Sequence, residues 1–373
     1  MSNTSIFALA TVSLWLLVDT MVTLSLPTTA AKTKIEFLGQ ATFPTDTQFK
    51  GTEVGGLSGI TYDQSKNVYY SISDDRSNKA PARFYTLKID LSKGSLKKVD
   101  ILNVTTILKA DGKPFPALSL DPEGIALAKN GRLYISSEGD TNRSIKPFVN
   151  QFSYSGKQTK VLPIPPKFLP TAKKNKGIRN NLGFESLAIA PSQKYLFTAT
   201  ENALYQDGNI ATIKQGSPAR IIKYNLSSFK PIQEYLYITQ PIAGTPNTAS
   251  FSNNGLVDLL AIDDNHLLSL ERSFSPSKGN TIRLYEVDLT KANDISKIES
   301  LKAVNIKKIK PAQKKLLLDF NDLKIPLDNI EGLTFGQCLP DRRRSLIVVS
   351  DNNFSSIQFT QILAFAINNK KSC

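Results

Sequence analysis

GGLSGITYDQSKNVYYSISDDR (Gly55–Arg76) holds two short apolar strands, the first beginning beside Ser58 and the second ending on Asp74. The same pair recurs four more times: DPEGIALA with RLYISSEGD, GFESLAIA with KYLFTATEN, NGLVDLLAI with HLLSLERS, and DNIEGLTF with LIVVSDNN. Counted from Ser58, Glu123, Glu185, Asp258 and Glu331, the steps are 65, 62, 73 and 73 residues. A fixed period of this kind marks an array of like units.

Each unit continues with a third strand: ARFYTLKIDL, FVNQFSY, ARIIKYNL, IRLYEVDL and QILAFAI. These runs alternate apolar with polar residues, are rich in Tyr, Ile and Phe, and stop at Asp, Asn or Ser turns. Fourth runs such as QEYLYI and KKLLLDF follow in several units. Four antiparallel strands per repeat is the blade of a β-propeller, so the fold class is all-β. Five blades is the direct count, and a sixth would require a degenerate blade inside one of the 73-residue units. The fifth copy ends after its third strand. KIEFLGQATF (Lys34–Phe43) is the segment expected to supply the missing one and close the ring.

The chain has 373 residues and a formal net charge of +14, and nothing resembling a linker divides it. Residues 1–31 read as an export signal. Ile6–Val18 is apolar but short for a membrane span, and small residues at Ala30 and Ala31 suit cleavage. The absence of Lys or Arg before that stretch, and Asp19, leave an uncleaved anchor as the alternative. The mature chain, residues 32–373, is then one domain, expected to be an exported (periplasmic or extracellular) monomer without a transmembrane span. Cys338 and Cys373 could pair in an oxidising compartment or remain thiols. The basic runs (Lys173, Lys174, Lys176, Arg179; Lys307, Lys308, Lys310, Lys314, Lys315; Arg342–Arg344) lack interleaved aromatics, so a nucleic-acid partner is not expected. They read as solvated loops or as attraction for an anionic small molecule or polyanion.

In a propeller the innermost strand of each blade lines the channel, and its neighbour runs antiparallel. The start of one and the end of the other share a face. Glu123, Glu185, Asp258 and Glu331 are therefore expected on one rim with Asp74, Glu138, Glu201, Glu271 and Asp351. So many carboxylates repel unless a positive charge sits among them. A hard cation such as Ca²⁺ takes six to eight oxygens, and Asn142, Asn202 and Asn352 could add to the carboxylates. Arg76, Arg143 and Arg272 are the alternative compensators and could grip an anionic group. The plainer reading is that each acid fixes a turn by accepting backbone N–H bonds.

These blocks, in this order, resemble the phytase-like domain proteins, described as having esterase-like activity of phytase, over about residues 34–367. The resemblance implies export, a β-propeller, and a Ca²⁺-assisted hydrolase of phosphoesters or related esters. It carries functional roles onto Glu123, Glu185 and Glu331, with Glu138, Glu201 and Glu271. With Arg76, Arg143 and Arg272 as catalytic cations, Asp74, Asp258 and Asp351 complete the ligand set this reading expects. One departure is that the Asp-Asp-Pro-Ala motif of β-propeller phytases is absent, since Asp74–Asp75 is followed by Arg76. That puts phytate itself in doubt.

Other chemistries fare worse. The GLSG of residues 56–59 lacks G-x-S-x-G spacing, and the single histidine, His266, would have to serve any triad. A two-carboxylate glycosidase remains open, because sequence gives no distances. Two further rivals are a non-catalytic propeller that binds a polyanion or surface partner, and a lactonase-like propeller with a single channel metal.

Overall fold

The computed structural model describes Met1 and residues 34–245 and 251–368. The expected signal segment and Cys373 lie outside the described residues. Cys338 is disulfide-bonded. Among the described residues no helix is long and apolar enough to cross a membrane.

Among the described residues are five four-stranded antiparallel sheets and one small hairpin, Gln48–Phe49 with Thr52–Glu53. Blade 1 begins with Leu57–Asp63, blade 2 with Pro122–Leu127, blade 3 with Ala188–Ile189, blade 4 with Asn253–Ala261 and blade 5 with Asn329–Cys338. These first strands touch one another from blade to blade, so they are the innermost. The fourth strand of blade 5 is Lys34–Pro44, paired with Phe359–Asn368 from Lys34↔Asn368 to Pro44↔Phe359. The five-blade count and the closing strand thus stand. The extra length of the fourth unit is not a hidden blade but a connection, residues 289–312, carrying two short 3₁₀ turns.

Five apolar cores hold the ring, one between each pair of neighbouring blades. Strand side chains alternate between faces, and here both faces are covered. In Arg344–Asp351 of blade 5, Leu346 and Val348 enter the core shared with blade 4, while Ile347 and Val349 enter the core shared with blade 1. This is why LIVV is continuously apolar, whereas Gln313–Asp319, the fourth strand of blade 4, has no fully buried residue.

Candidate functional site

The innermost strands share one irregularity. Their pairing slips between Leu57 and Gly59, Pro122 and Ile125, Leu256 and Asp258, and Ile330 and Gly332. A bulge re-aims the side chain it carries. In blades 1, 2 and 5 the residue so placed is Ser58, Glu123 or Glu331. In blade 3 Glu185 precedes the paired segment, which starts only at Ala188. Opposite these positions stand Asp74, Glu138, Glu201 and Asp351, each preceded by Ser or Thr.

Blade 4 departs from the expectation by one residue. Its bulge takes up Val257, so Asp258 pairs with Leu270 where Gly59 pairs with Ile72 and Gly332 with Val349. On the second strand Arg272, opposite Gly255, takes the place that Asp351 has opposite Asn329. A one-residue slip sends a side chain to the other face. Asp258 and Glu271 therefore leave the ring. Asp258 is buried and accepts N–H bonds from Leu259 and from Leu333 of blade 5, both at 2.8 Å. Glu271 accepts from Tyr237 Oη (2.7 Å), the Gln240 amide (2.8 Å), Asn254 Nδ2 (3.2 Å) and Lys314 Nζ. For these two the plainer turn-and-staple reading describes the contacts. Asp258→Ala is expected to cost about 1–3 kcal/mol in denaturant unfolding, because two buried N–H groups lose their acceptor. Cation affinity measured by calorimetry should stay within twofold.

The remaining acids converge. Oxygens of Asp74, Asp121 and Glu123 lie within 4.8 Å of one another, and so do those of Glu138, Glu185 and Glu201. Asp121, two residues before Glu123, escaped the sequence reading because the repeat was counted on one acid per strand. Except for half-buried Asp74, all six are buried. Glu331 and Asp351 sit beside the two trios, and Arg272 bridges them. Its Nη2 donates to Glu331 Oε1 at 2.8 Å and lies 3.8 Å from Glu201 Oε1. Gly255 leaves room for Glu201: a Cβ there would fall 2.0 Å from Oε1. Arg76 lies 3.4 Å from Asp121 and bonds Asp140 at 2.5 Å. Arg143 is more than half exposed and reaches only Asp140, so it is not brought to the ring. Asn202 donates to the Asn254 carbonyl and accepts from the Ala211 amide, Asn352 accepts from the Gly56 and Phe354 amides, and Asn142 accepts from Lys174.

Eight carboxyl groups (the two trios, Glu331 and Asp351) thus face two guanidiniums, Arg76 and Arg272. Burial, with repulsion from Asp121 and Glu201, pushes Glu138 up to about 8. Burial takes Glu201 to about 7 against the pull of Arg272, and Asp121 to about 6 against Arg76. Asp74, Glu123, Glu185 and Asp351 are also raised, by burial first and by neighbouring acids second. In each trio one buried oxygen has no donor, Asp74 Oδ1 and Glu138 Oε2. Orphaned acceptors of this kind within a cage of oxygens fit a hard divalent cation.

Asp74, Glu123, Glu185, Glu331 and Asp351 of this cluster line an open cavity of about 620 Å³, together with Phe251, Phe274, Ile357 and several asparagines. None of the three basic runs lines it. His266 bonds Asp263 at the start of its strand, the end remote from the acids, so it is not part of this site.

The sequence model of the Phytase-like family, described as esterase-like activity of phytase, matches residues 52–354. A protein of Arthroderma benhamiae named as an uncharacterized secreted protein is 25% identical over 144 residues, covering 32% of this chain. The match spans 27% of that relative's length. An endo-arabinase from Bacteroides thetaiotaomicron aligns over 89% of this chain and 98% of its own at 16% identity and a TM-score of 0.46. An endo-1,4-beta-xylanase from the same organism aligns over 85% and 95% at 11% identity and a TM-score of 0.45. Likenesses this loose carry no argument about the present chain.

Proposed function

Since the chain belongs to the Phytase-like family, we propose that it is an exported hydrolase of phosphoesters or related esters, assisted by Ca²⁺ or a similar divalent cation. The observation that carries this reading is the pair of carboxylate trios, each with an orphaned buried oxygen, whose members Asp74, Glu123 and Glu185 line an open cavity. Asp74, Asp121 and Glu123 would hold one cation and Glu138, Glu185 and Glu201 another. A cation bound there supplies positive charge that polarises an ester oxygen and eases deprotonation of a water.

The other groups do work of their own. Arg272 is pinned by Glu331 and keeps a buried Nε–H with no acceptor, a donor available to an oxygen that gains charge. Asp351 lies outside both trios, lines the cavity and accepts from the Asn353 amide at 2.6 Å. Burial and Glu331 hold its proton on to higher pH than an exposed aspartate would allow, which suits a donor to a leaving oxygen.

Calcium titration of chelator-stripped protein tests the reading. Without cations, carboxyls raised to about 6, 7 and 8 bind more protons folded than unfolded. Their stabilising contribution is complete below the unfolded values near 4 and is lost as pH rises through the folded ones. Stripped protein should therefore melt about 5–10 °C lower at pH 8 than at pH 5. At pH 8, calcium at 100 times its Kd should restore about 2.7 kcal/mol, and at pH 5 far less. A melting temperature indifferent to calcium at both pH values would return the acids to a structural role.

A further inference from the structure

We propose that the molecule held at this mouth is an uncharged, polyhydroxylated one with an apolar face, a sugar ester, and not a polyphosphate. The proposal rests on the hydrolytic reading above and narrows it. It departs from the anionic substrate expected from the sequence, and three features of the cavity carry it.

The first is charge. Among the described residues Arg272 is the one cation lining the cavity, and Glu331 already holds its Nη2. Eight carboxylates less two guanidiniums leave six negative charges when ionised, and two divalent cations would cancel four. A mouth still negative after loading repels a ligand that carries several phosphates. Apart from the bound cations themselves, a polyphosphate is gripped by free Arg or Lys, and the wall offers none beyond Arg272.

The second is the wall. Phe251 and Phe274 stand with ring centroids 6.3 Å apart and planes 29° from parallel. Phe251 is 72% exposed. An aromatic face carries negative charge density and attracts polarised C–H groups, which a pyranose presents on one side of its ring. Phosphate has nothing to lay on such a platform.

The third is hydrogen-bonding capacity. Asn253 gives its Nδ2 to Glu201 at 3.0 Å, but its Oδ1 is buried and has no donor. Asn180 accepts from Thr141 through Oδ1 and keeps its amide hydrogens. The Asn181 carboxamide also lines the cavity. Carboxamides both donate and accept, as hydroxyls do. An ionised phosphate offers acceptors only, and would leave Asn253 Oδ1 unsatisfied. A sugar hydroxyl satisfies it.

The test uses the full chain loaded with calcium and three probes: 6-O-acetylglucose, p-nitrophenyl acetate and myo-inositol hexakisphosphate. Hydrolysis adds water and breaks the ester, giving acetate and the free sugar. The expected result is a kcat/KM for the sugar ester at least about 100-fold above that for the hexakisphosphate. Phe251→Ala should raise KM about tenfold more for the sugar ester than for p-nitrophenyl acetate. Preferential turnover or binding of the hexakisphosphate, or an unchanged KM ratio in Phe251→Ala, overturns the sugar assignment while the hydrolytic reading stands. If no ester is turned over, calorimetry separates the two. Binding of 6-O-acetylglucose without turnover sinks the hydrolytic reading alone, and binding of neither compound sinks this proposal.

Discussion

Glu185→Gln is expected to lower cation-dependent ester hydrolysis about 100-fold or more and calcium affinity at least tenfold, with the propeller intact. Glu185 is buried in the second trio, and burial together with Glu138 and Glu201 raises its carboxyl. It precedes the paired part of its strand, so no ladder hydrogen bond depends on its side chain. Glutamine keeps the shape, removes one negative charge and offers one oxygen in place of two. Without calcium the variant should be at least as stable as the parent at pH 8, because a repelled carboxylate has gone. With calcium its gain in melting temperature should shrink. Those opposite signs separate a ligand from a structural residue. Unchanged calcium affinity, with activity retained, would remove the trio from the site.

Arg220→Met is expected to cost about 3–5 kcal/mol and to lower the melting temperature by about 5–10 °C. The guanidinium is fully buried between blade 3 and the 289–312 connection. Nε and Nη2 bond Asp207 at 2.6 and 2.9 Å, and Nη1 bonds Glu234 at 2.8 Å. Lys167, also buried, lies 3.3 Å from Glu234 and donates to the Ser296 and Ile298 carbonyls. Asp207 accepts from the Leu301 amide at 2.9 Å. Methionine would leave two buried carboxylates to one ammonium, and the penalty is that of an uncompensated charge. The connection should become a protease target before the blades do, since this network and the small cluster of Leu236, Ile295 and Leu301 anchor it. A loss under about 1 kcal/mol by chemical denaturation would show that water or repacking compensates.

The propeller was legible because strands buried on both faces need unbroken apolar runs, and five such pairs with turn residues between them leave few alternatives. The ring was legible in four blades for the same reason: Ser73–Asp74, Ser137–Glu138, Thr200–Glu201 and Ser350–Asp351 fall in register. Blade 4 was not legible, because Val257 occupies its bulge and Arg272 the opposite position, so a repeat counted on the acids Asp258 and Glu271 is one residue out of step with the other blades. One signal was present in the sequence. Glu271 follows Leu270 where the other four acids follow Ser or Thr, and Arg272 comes next. Asp258 stands where blades 1, 2 and 5 have Gly59, Gly124 and Gly332. At those glycines a Cβ would meet neighbouring atoms at 2.7–2.8 Å. An aspartate fits there only by bonding the adjacent strand, which is what it does.

The closure of blade 5 has a kinetic consequence. Among the described residues Lys34–Pro44 pairs only with Phe359–Asn368, so the first described strand waits for the last. Bringing them together costs loop-closure entropy over more than three hundred residues and can follow only the docking of the blades between them. Until then the apolar edge of Phe359–Asn368 stays unpaired, an open template for other chains. Refolding should thus pass through a nearly complete, aggregation-prone ring, and a synthetic peptide spanning Lys34–Pro44 should compete for the gap in that intermediate.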